Sequence, residues 1–318
     1  MSEAIDIRLY QPGDESHILG LFAQAFGREL PEERWRWRYQ RNPLGAGMAA
    51  LAWYGDELVG HAGAHAVAVR TAGRDWRAAL WGGVMTRPDF RGSGVAQALA
   101  RALHLHLEQS KYHLEWGFTN ALSHPVFVHR LGWPNVAEIP LFRLGLTNAV
   151  RWPSPPRDVV EWHDFDARAD RLWQAVRDRH AICTARDRAF LQWRYVQNPS
   201  ARYRILACLI QGGLAGYAVL KRFEEQMHVV DWLALPDTQA ELQLLAAAAE
   251  LACAESAAAL SLWINVHGPL HAVLESLGFR NAEPVTYWIG RVMAPELAAA
   301  DVLDYRRWYL TMGDSDVY

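Results

Sequence analysis

Cysteine is scarce in this chain: Cys183, Cys208 and Cys253 are the only three in 318 residues, and no two are closely spaced. Such spacing offers neither a zinc-ligand set nor a disulfide framework and suits a reducing, cytoplasmic compartment. Net positive charge is lacking too. With a formal net charge of −3, the chain has no concentrated basic face of the kind that phosphate backbones demand, so no nucleic-acid partner is expected. The one Arg-dense stretch, Arg34 to Arg41, is interleaved with Trp and Tyr at helical spacing and reads as an amphipathic helix. No uninterrupted apolar run is long enough for a bilayer. The most apolar segment, Leu242 to Trp263, is broken by Glu250 and Glu255 and reads as a helix followed by a strand. No N-terminal stretch joins a basic start to an apolar run, so neither a signal peptide nor a membrane partner is expected.

What is present is ample core material: 51% hydrophobic residues and 15 tryptophans, whose simplest role is packing, in a length comfortable for two domains. An internal repeat supports two. Trp37-Arg38-Tyr39-Gln40-Arg41-Asn42-Pro43 recurs as Trp193-Arg194-Tyr195-Val196-Gln197-Asn198-Pro199, an offset of 156 residues. Pro88-Asp89 is echoed by Pro236-Asp237 and Leu131-Gly132-Trp133 by Leu277-Gly278-Phe279, at offsets of 148 and 146. The falling offset implies deletions inside the second copy. Trp152-Pro153-Ser154-Pro155-Pro156 cannot sustain a helix or a central strand and marks the boundary. The expected division is residues 1–149, 150–291 and a tail, 292–318, whose aromatics pack back on the domains.

The most informative stretch is Thr86 to Leu99, TRPDFRGSGVAQAL. A strand-like apolar run, Trp76 to Thr86, precedes it, and Val95, Leu99 and Leu103 then recur at helical spacing. Between them lies the tight loop Arg91-Gly92-Ser93-Gly94-Val95-Ala96. The first turn of a helix leaves N–H groups without partners and carries the positive end of its dipole, so small residues there let an anion approach. No Lys-Ser or Lys-Thr pair follows the glycines, which excludes a P-loop, and position 97 is Gln rather than a third glycine, which argues against a dinucleotide fingerprint.

At Arg91, Gly94 and Ala96 the chain resembles the GNAT superfamily of acyl-CoA-dependent N-acyltransferases, whose signature is Arg or Gln, two residues, Gly, one residue, then Gly or Ala. Asn120 and Leu131-Gly132-Trp133 sit where that superfamily has such residues. The resemblance implies an α/β (α+β) protein of two tandem GNAT-like domains, each a mixed, mostly antiparallel sheet flanked by helices. The second copy is read as degenerate, because only Thr238-Gln239 stands where the glycine loop belongs.

The resemblance also implies acetyl-CoA or another acyl-CoA as donor and a small-molecule primary amine, such as an amino sugar or amino-acid derivative, as acceptor. Val84, Met85 and Thr86 would run beside the pantetheine arm, Arg91 to Ala96 would hold the pyrophosphate, and Asn120 would bind CoA, cap the following helix, or both. Gly82-Gly83 either relaxes the strand for close approach or marks a bulge. Many members place a Tyr general acid where this chain has Val128. Glu115, His61 and His65 are the candidates for base, each on a strand beside the presumed cleft, and each equally readable as a structural group. No metal site is expected, since Asp314 and Asp316 alone are a poor one. The alternative is a non-catalytic acyl-CoA-binding regulatory or scaffold protein.

Overall fold

The computed structural model describes residues 4–146, 152–153, 155–236 and 239–318. The chain divides into two units. Unit 1 takes residues 1–68, 76–135 and 288–303; unit 2 takes 69–75, 136–287 and 304–318.

In unit 1 the chain runs β1 (Ile5–Leu9), α1 (Glu15–Phe26), α2 (Glu32–Tyr39), β2 (Met48–Tyr54), β3 (Glu57–Thr71), β4 (Arg74–Thr86), α3 (Val95–Gln109) and β5 (Leu114–Thr119). The sheet order is β1-β2-β3-β4-β5, with the end of a long strand, Arg280–Val292, beside β5. It is mixed: β1, β2 and β3 pair antiparallel, whereas β4 and β5 pair parallel. Alternation along β2 explains the layering. Ala49, Leu51 and Trp53 pack against Ile18 and Leu21 of α1 and Trp35 and Tyr39 of α2, while Ala50 and Ala52 pack against Val95, Leu99 and Leu103 of α3. Helices therefore cover both faces, and β3 is buried along nearly its whole length. The stripe of Val95, Leu99, Leu103 and Leu107 is wholly buried, and each leucine contributes about 1.5–3 kcal/mol by leaving water. Close packing demands Gly60: a Cβ there would stand 2.7 Å from Val95 and 2.8 Å from Leu99.

Unit 2 contains β6 (Asn135–Gly145), β7 (Val159–Trp162), α4 (Ala167–Val176), β8 (Ile182–Thr184), α5 (Arg188–Leu191), β9 (Arg204–Ile210), β10 (Gly213–Phe223), β11 (Gln226–Ala234), α6 (Ala240–Ala254), β12 (Ala259–Leu262) and α7 (Leu270–Ser276). The long strand, β13 (Arg280–Val292), lends it residues 280–287. Past α8 (Pro295–Ala299), the chain returns to unit 2 with β14 (Trp308–Tyr309), parallel to β8. The sheet order is β13-β6-β12-β11-β10-β9-β7, with β11 and β12 parallel. Apolar residues of β9, β10, β11 and β12 bury against Leu244, Leu245, Ala248 and Ala252 of α6. The tail enters this unit through a buried ion cluster. Arg186, 1% exposed, binds Asp231 at 2.9 Å and Asp314 at 2.8 Å, and Thr311 Oγ1 donates to Asp231 at 3.0 Å.

Two expectations meet a different structure, and a third is only partly described. Residues 136–145 count with unit 2 through pairing of β6 with β12, and residues 288–303 return to unit 1, where β13 neighbours β5; the partition is not the linear 149/150 split. The expected boundary in Trp152–Pro156 falls partly outside the described residues, as do Asp237 and Thr238 of the second copy's loop. The helix expected after Asn120 is a π-helical turn, Val126–Arg130, closed by Leu131 N–H to Val126 O at 3.0 Å. Pro125 restricts its entry by lacking an N–H, and Gly132, at φ +68°, ends it.

Burial sets the acid response of the fold. It lowers the pKa values of His61, His180 and His228 from 6.5 to about 4. In the window from pH 6.5 down to 4 the unfolded chain binds protons at these sites that the folded chain refuses, so stability rises with pH there. His104 acts with opposite sign, because its pKa is raised by a hydrogen bond to Glu115. Glu241, raised by burial, acts as His104 does, but the three histidines, each lowered to about 4, set the net direction. Urea unfolding followed across that window is expected to show midpoints falling steadily with acidification, and His228→Gln should flatten the slope.

Candidate functional site

β4 and β5 pair over Ala78 to Leu80 with Leu114 to Trp116. Beyond this register a cleft of about 460 Å³ opens, walled by the end of β4, the start of α3 and the segment after β5. Val84, Met85 and Thr86 line it from β4, and Arg91, Gly92, Gly94, Val95 and Ala96 from the loop and first turn of α3. Asn120 lines it from beyond β5. Nine of the ten sequence-expected donor residues thus meet around one space. Ser93 does not line it: its hydroxyl donates to Phe90 O at 2.6 Å and fixes the loop instead.

The loop's geometry follows from its glycines. Gly94 stands at φ +91° immediately before α3, with open space where a Cβ would be. A side chain at that φ would be strained, so glycine lets the backbone turn into the helix. The first helical bond there runs from Ala98 N–H to Gly94 O at 3.1 Å, so the N–H groups of Val95, Ala96 and Gln97 lack intrahelical acceptors. Their dipole end faces a cleft lined by two cations, Arg91 and Arg130, and by no carboxylate. The remaining wall is largely apolar, with Phe26, Val84, Met85, Leu122, Val126 and Phe127. Leu122 is 87% exposed, a large apolar side chain held at the rim. An extended ligand with an anionic part near the helix start and a less polar arm fits this distribution.

Asn120 orders the turn ahead of the π-turn, whose own N-cap is Pro125 without a side-chain bond. The Asn120 Oδ1 accepts from the N–H groups of Leu122 and Ser123, both at 3.0 Å, which orders the segment entering the π-turn.

The three candidate bases lie elsewhere. Glu115 is wholly buried, accepting from His104 Nδ1 at 2.8 Å and from Trp81 Nε1 at 3.2 Å, with Arg291 at 3.7 Å. It is a strand carboxylate fully engaged under α3. His61 is buried, its Nδ1 donating to Gly83 O at 2.7 Å while Nε2 meets no partner. Its pKa of about 4, lowered by burial, leaves the ring neutral at physiological pH. Gly83 takes φ +68° at this point, and Tyr39 OH donates to the neighbouring Gly82 O at 3.1 Å, so both strand glycines are held by side chains of unit 1. His65 is buried as well. None of the three lines the cleft. Val128 packs toward the α3 core rather than the cleft, because the π-turn presents Val126, Phe127 and Arg130 there. Arg130, Gln97, Phe26 and Leu122 are cleft residues that sequence reasoning missed. Arg130 had a signal, since it immediately precedes Leu131-Gly132-Trp133.

Glu115 gives a test of this placement. Glu115→Ala strips the acceptor from His104 and Trp81, and loss of one partner of a buried pair costs about 3–5 kcal/mol. Denaturant unfolding is expected to register that loss, with Glu57→Ala, at an exposed ion pair, as a near-neutral control.

Residues 6–136 match the family model described as an acetyltransferase (GNAT) domain. No curated protein is similar enough in sequence to match. Among solved structures, a conserved protein of unknown function and probable N-acyltransferase from Enterococcus faecalis V583 aligns with TM-score 0.72 and 16% identity, over 91% of this chain and 73% of its own. A GCN5-related N-acetyltransferase from Anabaena variabilis ATCC 29413 aligns with TM-score 0.70 and 11% identity over the same shares. A GCN5-related N-acetyltransferase from Kribbella flavida gives 0.66 and 17%, over 92% of this chain and 71% of its own. At these identities the structural likeness speaks to fold. Residues 6–136 are thus similar to an acetyltransferase (GNAT) domain, and the chain shares its fold with solved N-acetyltransferases.

Proposed function

We propose that unit 1 binds an acyl-CoA, acetyl-CoA in the first instance, in the cleft at the start of α3. The acyl group passes to the primary amine of a small molecule such as an amino sugar or amino-acid derivative. The observation that carries this reading is the convergence of the β4 end, the glycine loop and Asn120 on one cleft that has two arginines and no carboxylate. The pyrophosphate would take the N–H groups of the α3 turn together with Arg91. The pantetheine arm would lie along Val84 to Thr86, where backbone groups orient the thioester for direct attack by the amine.

Unit 2 is read as a degenerate copy of unit 1, and register supports this. Counting from the parallel pairs, Ala78–Leu114 in unit 1 and Gln226–Ala259 in unit 2, Gly83 corresponds to Asp231 and Asn120 to Asn265. Asn42 Oδ1 accepts from Leu44 N–H at 2.8 Å, and its counterpart in the repeat, Asn198, accepts from Ser200 N–H at 3.0 Å. Where unit 1 has a cleft, unit 2 has its own tail: Asn265 Nδ2 donates to Tyr305 O and Trp308 O at 2.9 and 2.8 Å, and Tyr309 OH donates to Trp232 O. A cytoplasmic location remains part of this proposal. Among the described residues no helix is long and apolar enough to cross a membrane.

A second reading, acyl-CoA binding without turnover, draws support from the placement of Glu115, His61 and His65 away from the cleft.

Calorimetric titration with acetyl-CoA tests the donor site, using wild type, Gly94→Trp and Ala96→Glu. The first variant fills the loop. The second puts a negative charge in the first turn, which suits the helix dipole and keeps the fold while repelling a pyrophosphate. Saturable binding by wild type, weakened at least about tenfold in both variants, is the expected result; no binding by wild type overturns the proposal. Release of free thiol in the presence of small amines then separates the transferase from the non-catalytic binder.

A further inference from the structure

A second cavity of unit 1, about 340 Å³, lies between the outer face of α3 and the π-turn. Gln97, Arg101 and His104 recur along α3 at spacings that put them on one face, and Arg130 and Arg291 meet them from the π-turn and β13. The guanidinium groups of Arg101 and Arg130 make no hydrogen bond or ion pair with any described residue. Arg291 is held in place, lying 5.4 Å over the Trp133 ring and donating to Leu131 O at 3.3 Å. No carboxylate lines the cavity among the described residues; Glu115 is buried beneath the wall and occupied by His104, Trp81 and Arg291, and Glu108 acts on His104 from one turn further along α3. Glu115 thus acts as a positioning residue: it orients His104 Nδ1 inward and favours its imidazolium form, through the hydrogen bond first and charge second. Three arginines and a histidine converge on a small space that no acid lines.

We propose that this cavity is a phosphate-monoester site. Guanidinium groups match phosphate oxygens in fork geometry, and a dianion is the ligand that several of them neutralise best. The cavity shares Gln97 and Arg130 with the donor cleft, so the phosphate has two possible sources. One is the ribose 3′-phosphate of a coenzyme A seated in the cleft, a case that rests on the donor reading. The other is a separate phosphate-bearing molecule, which does not.

Arg101 lines this cavity and not the cleft, and its exposed, unengaged side chain makes Arg101→Gln a variant that keeps the fold. Binding of coenzyme A, 3′-dephospho-coenzyme A and inorganic phosphate is measured on wild type, Arg101→Gln and Arg130→Gln. For the first source, coenzyme A binds wild type about tenfold or more tighter than its dephospho form. Arg101→Gln removes that advantage while leaving dephospho-coenzyme A unchanged. For the second, the two coenzymes bind wild type alike, and inorganic phosphate raises its melting temperature but not that of Arg101→Gln. If neither the coenzyme ratio nor the phosphate response changes in either variant, the site is overturned. Should wild type bind no coenzyme at all, the donor reading fails, and the phosphate arm alone decides this cavity.

Discussion

Three residues of parallel pairing, Ala78 to Leu80 against Leu114 to Trp116, govern where unit 1 can hold a ligand. A parallel pair requires a crossover connection, and here the crossover is α3. Its buried stripe fixes the helix to the sheet, so its first turn has to lie near the end of β4. Once β4 and β5 part company, the backbone at their ends, the orphan N–H groups of α3 and the segment beginning at Asn120 converge on the same opening. The cleft is thus a consequence of sheet register plus helix attachment. The lining residues decide what enters it.

Much of this was legible in sequence because the signals are local. Period-4 apolar residues announced α3, and glycines at positive φ announced the turn before it. Asn120 was read with two roles; its hydrogen bonds to Leu122 and Ser123 close the turn before the π-turn rather than capping it. The π-turn was not legible, since one additional residue per turn leaves no clear mark on a segment of five residues. The exchange of strand ends was hidden for a different reason. β6 and β13 look alike as strands from either side, and only tertiary pairing decides which sheet each one joins. The candidate bases were misplaced by a face argument: sequence puts Glu115, His61 and His65 on strands near the cleft, but the pleat and the packed layers decide which side chains reach it.

Ionisation reinforces that division between wall and interior. His61 is kept neutral by burial and spends its one N–H on Gly83 O, which makes it a support for the strand carrying Val84 and Met85. Glu115 is likewise buried, its carboxyl oxygens engaged by His104 and Trp81. Both stiffen the strands that flank the cleft. Positions that must bind a ligand are more precise when the elements beneath them are locked in this way.

The cleft of unit 1 and the buried cluster of unit 2 handle arginine differently. In unit 2, Arg186 is closed between Asp231 and Asp314, and Arg194 donates to the carbonyls of Ser315 and Tyr318, so the protein supplies every strong acceptor itself. Such a cluster orders a tail but has nothing left to offer a ligand. In unit 1, Arg101 and Arg130 have no acceptor among the described residues, and Arg91 donates to a carbonyl, Ala25 O, at 3.3 Å. Exposed arginines lose little by remaining hydrated, so this arrangement costs the fold almost nothing. What it leaves is a cationic surface around an apolar cleft, with the helix dipole pointing the same way. Repetition of a fold can supply two such frames, yet a set of arginines already closed by the protein's own acceptors, as at Arg186 and Arg194, has nothing left for an anion from solution.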